Sequence, residues 1–401
     1  MTQFGSAHAD RAELRGTSAV AAVAVLIGVA FGLSTLITPL YIIYQQSFGF
    51  SQITLTLIYA AYVIGNIAAL LFFGRVSDRI GRRPAALSAI AILITAALVF
   101  LFANDVAALY VGRIVSGLGI GVASGTGNAW LAELIDEDDK TRAAIIGTGS
   151  NFIGLGLAAL LSGLFAQYAP WPLHLSFIVY LLVLCATAAL IWFTQETVQN
   201  ADASRFEIRP KLSLPREIRA QFVAPAITGF GLMALVGFYA ALMPSILSHE
   251  LDIKSHAAAG ALLFELATVV ASVIVATRKL DSRTSMMWSL ALMIPAAASV
   301  AAAQMSASLS MMLTATAVVA LSAGLGYRGS LQVVNQIAPA DKRAAVVSSY
   351  FVCCFIGNAL PVIGIGVLSS STDMTVASIA FSCMIAGFAI VALIFGLVYR
   401  R

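Results

Sequence analysis

The sequence predicts an all-α membrane protein: twelve transmembrane helices in two six-helix bundles, with both termini cytoplasmic. Three observations predict it. The chain is far more hydrophobic than a soluble one, apolar stretches of spanning length recur along it, and its few basic residues gather in alternate breaks. Of 401 residues, 60% are hydrophobic and 10% charged, against roughly 45–50% and about 25% in soluble domains. Mean hydropathy is +0.93. A span takes about 20 apolar residues, so this stock suffices for roughly a dozen. That excludes a soluble enzyme, a disordered chain and a nucleic-acid-binding domain. The net charge of +4 follows from where the cations sit and does not point to nucleic acid.

Runs such as AALSAIAILITAALVFLF cannot be left in water. Helices are expected near 18–44, 53–73, 85–102, 107–131, 143–166 and 174–194, then near 220–245, 257–277, 285–303, 309–331, 344–368 and 375–399. Spans three and four are divided by Asn104-Asp105, a turn signal inside a run too long for one crossing. The longest break, QETVQNADASRFEIRPKLSLPREIRAQ, is charged and carries Pro210 and Pro215. The expected organisation is a tail over 1–17, a first bundle over 18–196, a linker over 197–219 and a second bundle over 220–401. The polar opening residues lack the pattern of a secretory signal.

The basic residues orient the chain. Of the 23 Lys and Arg, only Lys254 falls in an outer loop, and Arg113 and Arg328 lie within spans. The other 20 (23 − 3) fall at the ends expected to be cytoplasmic, as the positive-inside rule demands. The halves also echo one another: Arg75 and Asp78 in GRVSDR match Arg278 and Asp281 in TRKLDSR, and DKTRAA (139–144) matches DKRAA (341–345). An offset of about 200 residues points to two homologous bundles. Cys185, Cys353, Cys354 and Cys383 lie in apolar runs without CxxC spacing, so they read as buried thiols packing as small hydrophobes. No metal cluster or cofactor motif is seen, and the scattered histidines form no nucleophile–base pair, so an enzyme is not expected.

The loop between spans two and three reads Gly74-Arg75-Val76-Ser77-Asp78-Arg79-Ile80-Gly81-Arg82-Arg83-Pro84. It resembles the G-x-x-x-D-R-x-G-R-R/K signature of the major facilitator superfamily, and the twelve spans, the 6+6 division and the long linker agree with that family's fold. Gly74 permits close helix approach, and Asp78 can be received by the exposed amides at the start of span eleven. Arg79, Arg82 and Arg83 would meet Glu133, Arg142 and anionic headgroups at one depth. The resemblance implies that this cluster latches the two bundles and breaks during alternation.

Span four carries Leu109-Tyr110-Val111-Gly112-Arg113-Ile114-Val115-Ser116-Gly117-Leu118-Gly119. This is similar to the L-x-x-x-R-x-x-Q-G-x-G motif of the family's proton-coupled members, the drug:proton antiporters especially, with Ser116 in place of Gln. Arg113 either snorkels outward to Asp105 or lends a fixed charge to a nearby protonatable group. In span five, Gly154 to Gly163 is similar to the antiporter pattern G-x-x-x-G-P-x-x-G-G, but Ala158-Ala159 stands where Gly-Pro belongs.

Glu265 is the one carboxylate expected near mid-membrane, about 12 Å into span eight. Such residues face a bundle interior or a watery cavity. It is either the proton-coupling or cation-sensing acid, a neutral acid hydrogen-bonded between helices, or the partner of an arginine. Thr268 and Ser272 extend a polar stripe from it. Span one offers Ser34, Thr38, Tyr41 and Gln45 on one polar face, and span two Tyr59, Tyr62 and Asn66. Asn128, Asn151, Tyr239 and Asn358 complete the candidate substrate contacts, while Arg328 is expected to gate or to meet anionic lipid. The family resemblance implies that spans one, four, seven and ten line a central cavity. The expectation is a secondary transporter in the plasma membrane, a bacterial inner membrane, working as a monomer. It would export a small lipophilic organic compound against protons, with no cofactor and no metal. The alternative is a proton symporter importing a small metabolite such as a sugar, organic acid or amino-acid-like compound. A lipid flippase or a receptor stands further off.

Overall fold

The computed structural model describes residues 13–74, 76–135, 140–198 and 212–398. Arg75, residues 1–12 of the expected tail, residues 199–211 of the expected linker and the terminal residues 399–401 lie outside them. Among the described residues twelve helices are long and apolar enough to span a bilayer. The first six are Thr17–Phe48, Gln52–Phe73, Arg82–Leu101, Val106–Leu134, Arg142–Tyr168 and Leu175–Trp192. The second six are Arg216–His249, His256–Ala276, Ser282–Met305, Leu309–Ile337, Arg343–Ser371 and Met374–Val398. Most outlast the apolar run that predicts them, because polar residues just beyond the run cap the first turn. Ser51, Asp105, Ser255, Asp281 and Ser308 each accept the amide three residues on, satisfying a donor that the helix itself leaves open. Asn104-Asp105 does separate spans three and four.

Two departures from straight helices were not visible in the hydropathy. Span one is α-helical to Leu36, tightens to a 3-10 turn over Thr38–Leu40 and resumes at Tyr41. Pro39, which has no N–H to give and a fixed φ, sits at that break. Span two ends in a π-helical turn over Ala69–Phe73.

Within the first bundle span one packs on span five, and span four on span two. Gly154 meets Gly28 so closely that a Cβ on Gly154 would lie 2.0 Å from the Gly28 carbonyl oxygen. The second bundle repeats this crossing with span eleven on span seven, where Gly357 lies on Phe230. The two glycines end matching triplets, Phe152-Ile153-Gly154 and Phe355-Ile356-Gly357, so the internal repeat extends into the packing.

The bundles meet through spans five and eight and through spans two and eleven. Thr38 donates to the Ala240 carbonyl at 2.9 Å, and Tyr59 and Tyr62 donate to Asn358 Oδ1 at 2.9 and 2.6 Å. Ser245 reaches Gln52 at 3.5 Å, and the His256 amide reaches Gln167 at 2.9 Å. Each of these bonds lies at the middle of the molecule or in the half away from the 74–84 loop. Residues 33–42 of span one and 237–247 of span seven, in that half, are buried throughout. The second bundle's loop-side end closes instead on its own small core of Ile218, Phe222, Val334, Ala338, Val346, Tyr350 and Cys354. Among the described residues the molecule is therefore sealed at the far end and parts toward the end bearing the motif loop.

The cysteine expectation needs correction. Cys354 is buried and Cys353 half-buried, but Cys185 and Cys383 are exposed on helix surfaces. An apolar run on a spanning helix has a face turned away from protein, and sequence alone did not tell which face each thiol takes.

Candidate functional site

The motif loop is fastened into its own bundle. Gly81 has φ +99°, which a side chain would strain, and this turn aims the first amides of span three at the Glu196 carboxylate. Glu196 accepts from the Arg82 and Arg83 amides, both at 2.9 Å, and from those of Thr197 and Val198. An anion at a helix N-terminus is favoured by the open N–H groups and the helix dipole. The Arg82 side chain, 6% exposed, fills the space beneath. It grips both oxygens of Glu133 and donates to Asp78 at 2.5 Å and to Ser77 at 2.6 Å. Thr197 also donates to Glu133. Arg83 donates to the Thr194 carbonyl at 2.9 Å and to Glu13 at 3.2 Å. The Arg83 and Arg15 guanidinium groups hold the Glu13 carboxyl below its ordinary value.

This corrects the expected partner of Asp78. Its carboxylate is on Arg82, not on the amides opening span eleven, and it remains 51% exposed. The physical reason is the parted motif end, which leaves the second bundle out of reach. Arg79 is exposed, Arg142 is exposed at the start of span five, and Gly74 ends span two. Of the three arginines expected to meet Glu133, Arg82 does so, and Thr197 adds a hydroxyl. Sequence reasoning missed Glu196, Glu13, Ser77 and Thr197. The available signal was a carboxylate just past the end of span six, which was read as linker charge.

A second cluster lies at mid-bundle. Arg113 is 0% exposed and points inward. It donates to the carbonyls of Ser34 at 2.9 Å and Tyr59 at 3.1 Å, and its guanidinium lies 4.6 Å from the Tyr62 ring centre and 5.2 Å from that of Tyr59. The snorkelling alternative fails, since Asp105 is the cap of span four. Carbonyl oxygens and aromatic faces hold a weakly hydrated guanidinium well. Arg113 Nε and the Tyr41 hydroxyl are buried without partners. Tyr62 carries two contacts at once: its ring underlies Arg113 and its hydroxyl crosses to Asn358. Asn358 in turn donates to the Met233 carbonyl at 3.2 Å, tying spans two, four, seven and eleven together.

The remaining candidates divide. Ser34 donates within its own helix to Phe31, and Thr38 crosses to span seven. Asn66 is buried, Gln45 half-buried, and Asn151 buried with Oδ1 unpartnered. Asn128 is exposed and bonds its own helix at Ser124. Tyr239 is buried and accepts from Thr316 at 3.1 Å. Glu265 is half-buried, with Oε2 lacking a partner. Among the described residues Glu265 forms no ion pair with Arg113, which belongs to the other bundle, or with another arginine, so the pairing alternative gains no support. Arg328 is corrected as well: it donates to the carbonyls of Thr277, Arg278 and Leu280 at 2.6, 2.7 and 2.9 Å. It closes the open carbonyl end of span eight and fixes that end to span ten.

Comparison with known proteins agrees with this architecture. Two solved structures superpose over 94% of the chain. One is the human organic anion transporter MFSD10 (TETRAN), with TM-score 0.68, 15% identity and 99% of that chain covered. The other is a bacterial homologue of the human lysosomal transporter Spinster, inward-facing and unoccupied, with TM-score 0.72, 16% identity and 97% covered. Among curated proteins, the multidrug resistance protein MdtL of Klebsiella pneumoniae (strain 342) is 30% identical over 126 residues, which is 31% of this chain and 32% of that protein. MdtL of Escherichia coli O45:K1 is 31% identical over 121 residues, covering 30% and 31%. The match spans about a third of the length of these curated relatives. The family model of the Major Facilitator Superfamily matches residues 22–362. Twelve spans, two bundles related by an internal repeat and this match lead to one statement: the chain belongs to the Major Facilitator Superfamily of transporters.

Proposed function

We propose that this transporter exports a small lipophilic organic compound in exchange for protons, with Glu265 as the carboxylate that takes up and releases the proton. The observation carrying the reading is the unpartnered Oε2 of Glu265 on a helix that packs directly against the opposite bundle at span five. Carboxyls inside spanning helices mark proton paths in transporters, and a proton gained or lost there changes the cost of keeping that interface closed. The name of the MdtL relatives, multidrug resistance proteins, supports export. The gathering of basic residues at one end supports placing that parted end in the cytoplasm of a plasma membrane, where it would admit cargo from inside. Ser34, Thr38, Tyr41, Gln45, Tyr62, Asn66, Asn128, Asn151, Tyr239 and Asn358 are the proposed cargo contacts, all uncharged and suited to lipophilic cargo. One chain contains both bundles and works as a monomer on this reading.

The test uses the purified full chain in liposomes with an imposed pH gradient and a panel of lipophilic fluorescent compounds. Cargo movement reverses direction when the gradient is inverted, and Glu265→Gln abolishes that dependence. Unchanged proton-coupled transport by Glu265→Gln would sink the coupling role. A second reading, symport of a small metabolite, is favoured by one observation. Span five runs as one helix, Lys140–Tyr168, through Ala158-Ala159, without the proline that marks antiporters. Accumulation of cargo on the side to which protons flow would decide for it.

A further inference from the structure

Two crevices open on the flank of the second bundle, at the end that carries the motif loop, and Arg283 lines both. The larger, 420 Å³, is walled by Arg283, Thr284, Met287, Trp288, Ala291 and Leu397, between spans nine and twelve. The smaller, 270 Å³, has Gln221, Gln336 and Arg283 beside an apolar lining of Met286, Val333, Ile337 and Phe395. Along span nine the larger crevice changes from charged to apolar. Arg283 is in the first turn, while Trp288 and Ala291 lie about 7 and 12 Å deeper at the helical rise. Trp288 is 58% exposed, an indole at the depth where membrane proteins place interfacial aromatics. Arg283 also donates to the Gly396 carbonyl of span twelve, which holds its guanidinium where the two crevices meet.

The local charge is positive. Arg278 and Lys279 are exposed in the preceding loop and add to Arg283. Among the described residues Asp281 stands against these three, its carboxyl held below its ordinary value chiefly by the Thr284 amide that it caps. An anion beside this group meets a net excess of cations even with Asp281 ionised. A soluble anion would use the arginine and leave the apolar length of both crevices empty. A zwitterionic lipid would use the apolar length and bring its own cation to a site already rich in them.

We propose that these crevices hold one anionic glycerophospholipid. Its phosphate sits at Arg283 with Arg278 and Lys279 near. One acyl chain runs along Met287, Trp288, Ala291 and Leu397, and the other enters between Met286, Val333, Ile337 and Phe395. The lipid then joins spans seven, nine, ten and twelve at one end of the bundle. Basic pockets between spanning helices are known to take such headgroups.

The experiment is native mass spectrometry of the full chain released from detergent, offered phosphatidylglycerol or phosphatidylethanolamine with identical chains. One phosphatidylglycerol is retained under activation that strips phosphatidylethanolamine. Arg283→Gln weakens retention roughly fivefold, the factor expected for one cation near a headgroup. Ala291→Trp, which fills the larger crevice without removing charge, lowers it further. Should Arg283→Gln fail to fold, because the Gly396 tie is lost, Lys279→Gln and Ala291→Trp carry the test. Lys254→Gln, an exposed cation at the far end of the same bundle, leaves retention unchanged. Equal retention of the two lipids, equal loss on Lys254→Gln, or displacement by millimolar inorganic phosphate would each overturn the proposal.

Discussion

Asn358→Leu removes the acceptor on which the two bundles converge at mid-membrane. Tyr59 and Tyr62 both donate to Asn358 Oδ1, at 2.9 and 2.6 Å. A hydrogen bond contributes about 0.5–1.5 kcal/mol net, and interhelical bonds inside membranes average about 0.6 with a ceiling near 1.7. Two such bonds favour the far-end-closed state by about 1–3 kcal/mol, a population ratio of roughly 5 to 150. Leucine keeps the branching and heavy-atom count of asparagine, and the lost Asn358-to-Met233 bond lies inside one bundle, so it cancels between states. The expected outcome is a shift toward the conformation in which the motif end closes. Spin labels at Arg79→Cys and Lys342→Cys, exposed on opposite bundles at that end, report it as a gain of the short-distance population. The four native cysteines are replaced in the background. Tyr59→Phe with Tyr62→Phe moves the distribution the same way, and adding Asn358→Leu to that pair moves it little further, because donors and acceptor form one unit. A folded Asn358→Leu protein with an unaltered distance distribution refutes the assignment of this cluster as the far-end gate.

Three other perturbations follow from the motif loop. Gly81→Ala forces a side chain to φ +99° with its Cβ 2.8 Å from Glu196 Oε2; it should cost about 1–2 kcal/mol and lower the melting temperature, while Gly149→Ala, where the space is open, should not. Arg82→Gln leaves Glu133 and Asp78 without their cation. Breaking a buried pair costs about 3–5 kcal/mol, but these carboxylates are 37% and 51% exposed, so water recovers part and roughly 2 kcal/mol is expected in thermal unfolding. The Glu13–Arg83 tie has a defined pH window. Its folded-state carboxyl titrates below the ordinary 4.5, so the contribution is complete above that value and is lost as pH falls through the lower, folded-state one. Amide exchange at Leu14 and Gln195, whose backbone bonds join the two strands of chain, should be protected at pH 6 and released in acid; equal release at pH 6 contradicts it.

The twelve spans were legible because burying apolar surface in lipid demands uninterrupted runs, and such runs survive in a single sequence. The motif loop was legible as residues but not as a geometry. Arg82 and Asp78 lie four apart, yet whether Asp78 serves its own bundle or the other depends on which end of the molecule is open, a property of two conformations and not of one sequence. Arg113 was ambiguous for a different reason. A guanidinium near a helix end is satisfied equally by water outside or by carbonyls and rings inside, and the choice falls to Ser34, Tyr59 and Tyr62 on two other helices. Glu196 stayed hidden because its ligands are backbone amides, which carry no letter in the sequence. Asn358 is expected from its polarity to be a cargo contact, and its direct bonds add a second part, tying the two bundles at mid-membrane.

Arg113 and Glu265 act in separate places, and this constrains how a proton could drive the cycle. Arg113 belongs to the first bundle and is stacked under the ring whose hydroxyl forms the gate. Its charge therefore bears on the Tyr62–Asn358 bond directly. Glu265 belongs to the second bundle, forms no ion pair with Arg113 and sits beside the crossing where Gly156 packs against Phe264 and Ala267. Neutralising Glu265 cannot release Arg113 from a charge partner, because that partner is already two carbonyls and two aromatic faces. On the proposed reading, a proton on Glu265 instead alters the cost of holding span eight against span five. That crossing and the one between spans two and eleven close the same end of the molecule, so loosening either one removes half of the seal. Glu265→Gln and Asn358→Leu should accordingly bias the same equilibrium by separate routes, with effects that add. Strong non-additivity in the spin-label distances would show the two groups to be coupled more closely than the packing allows.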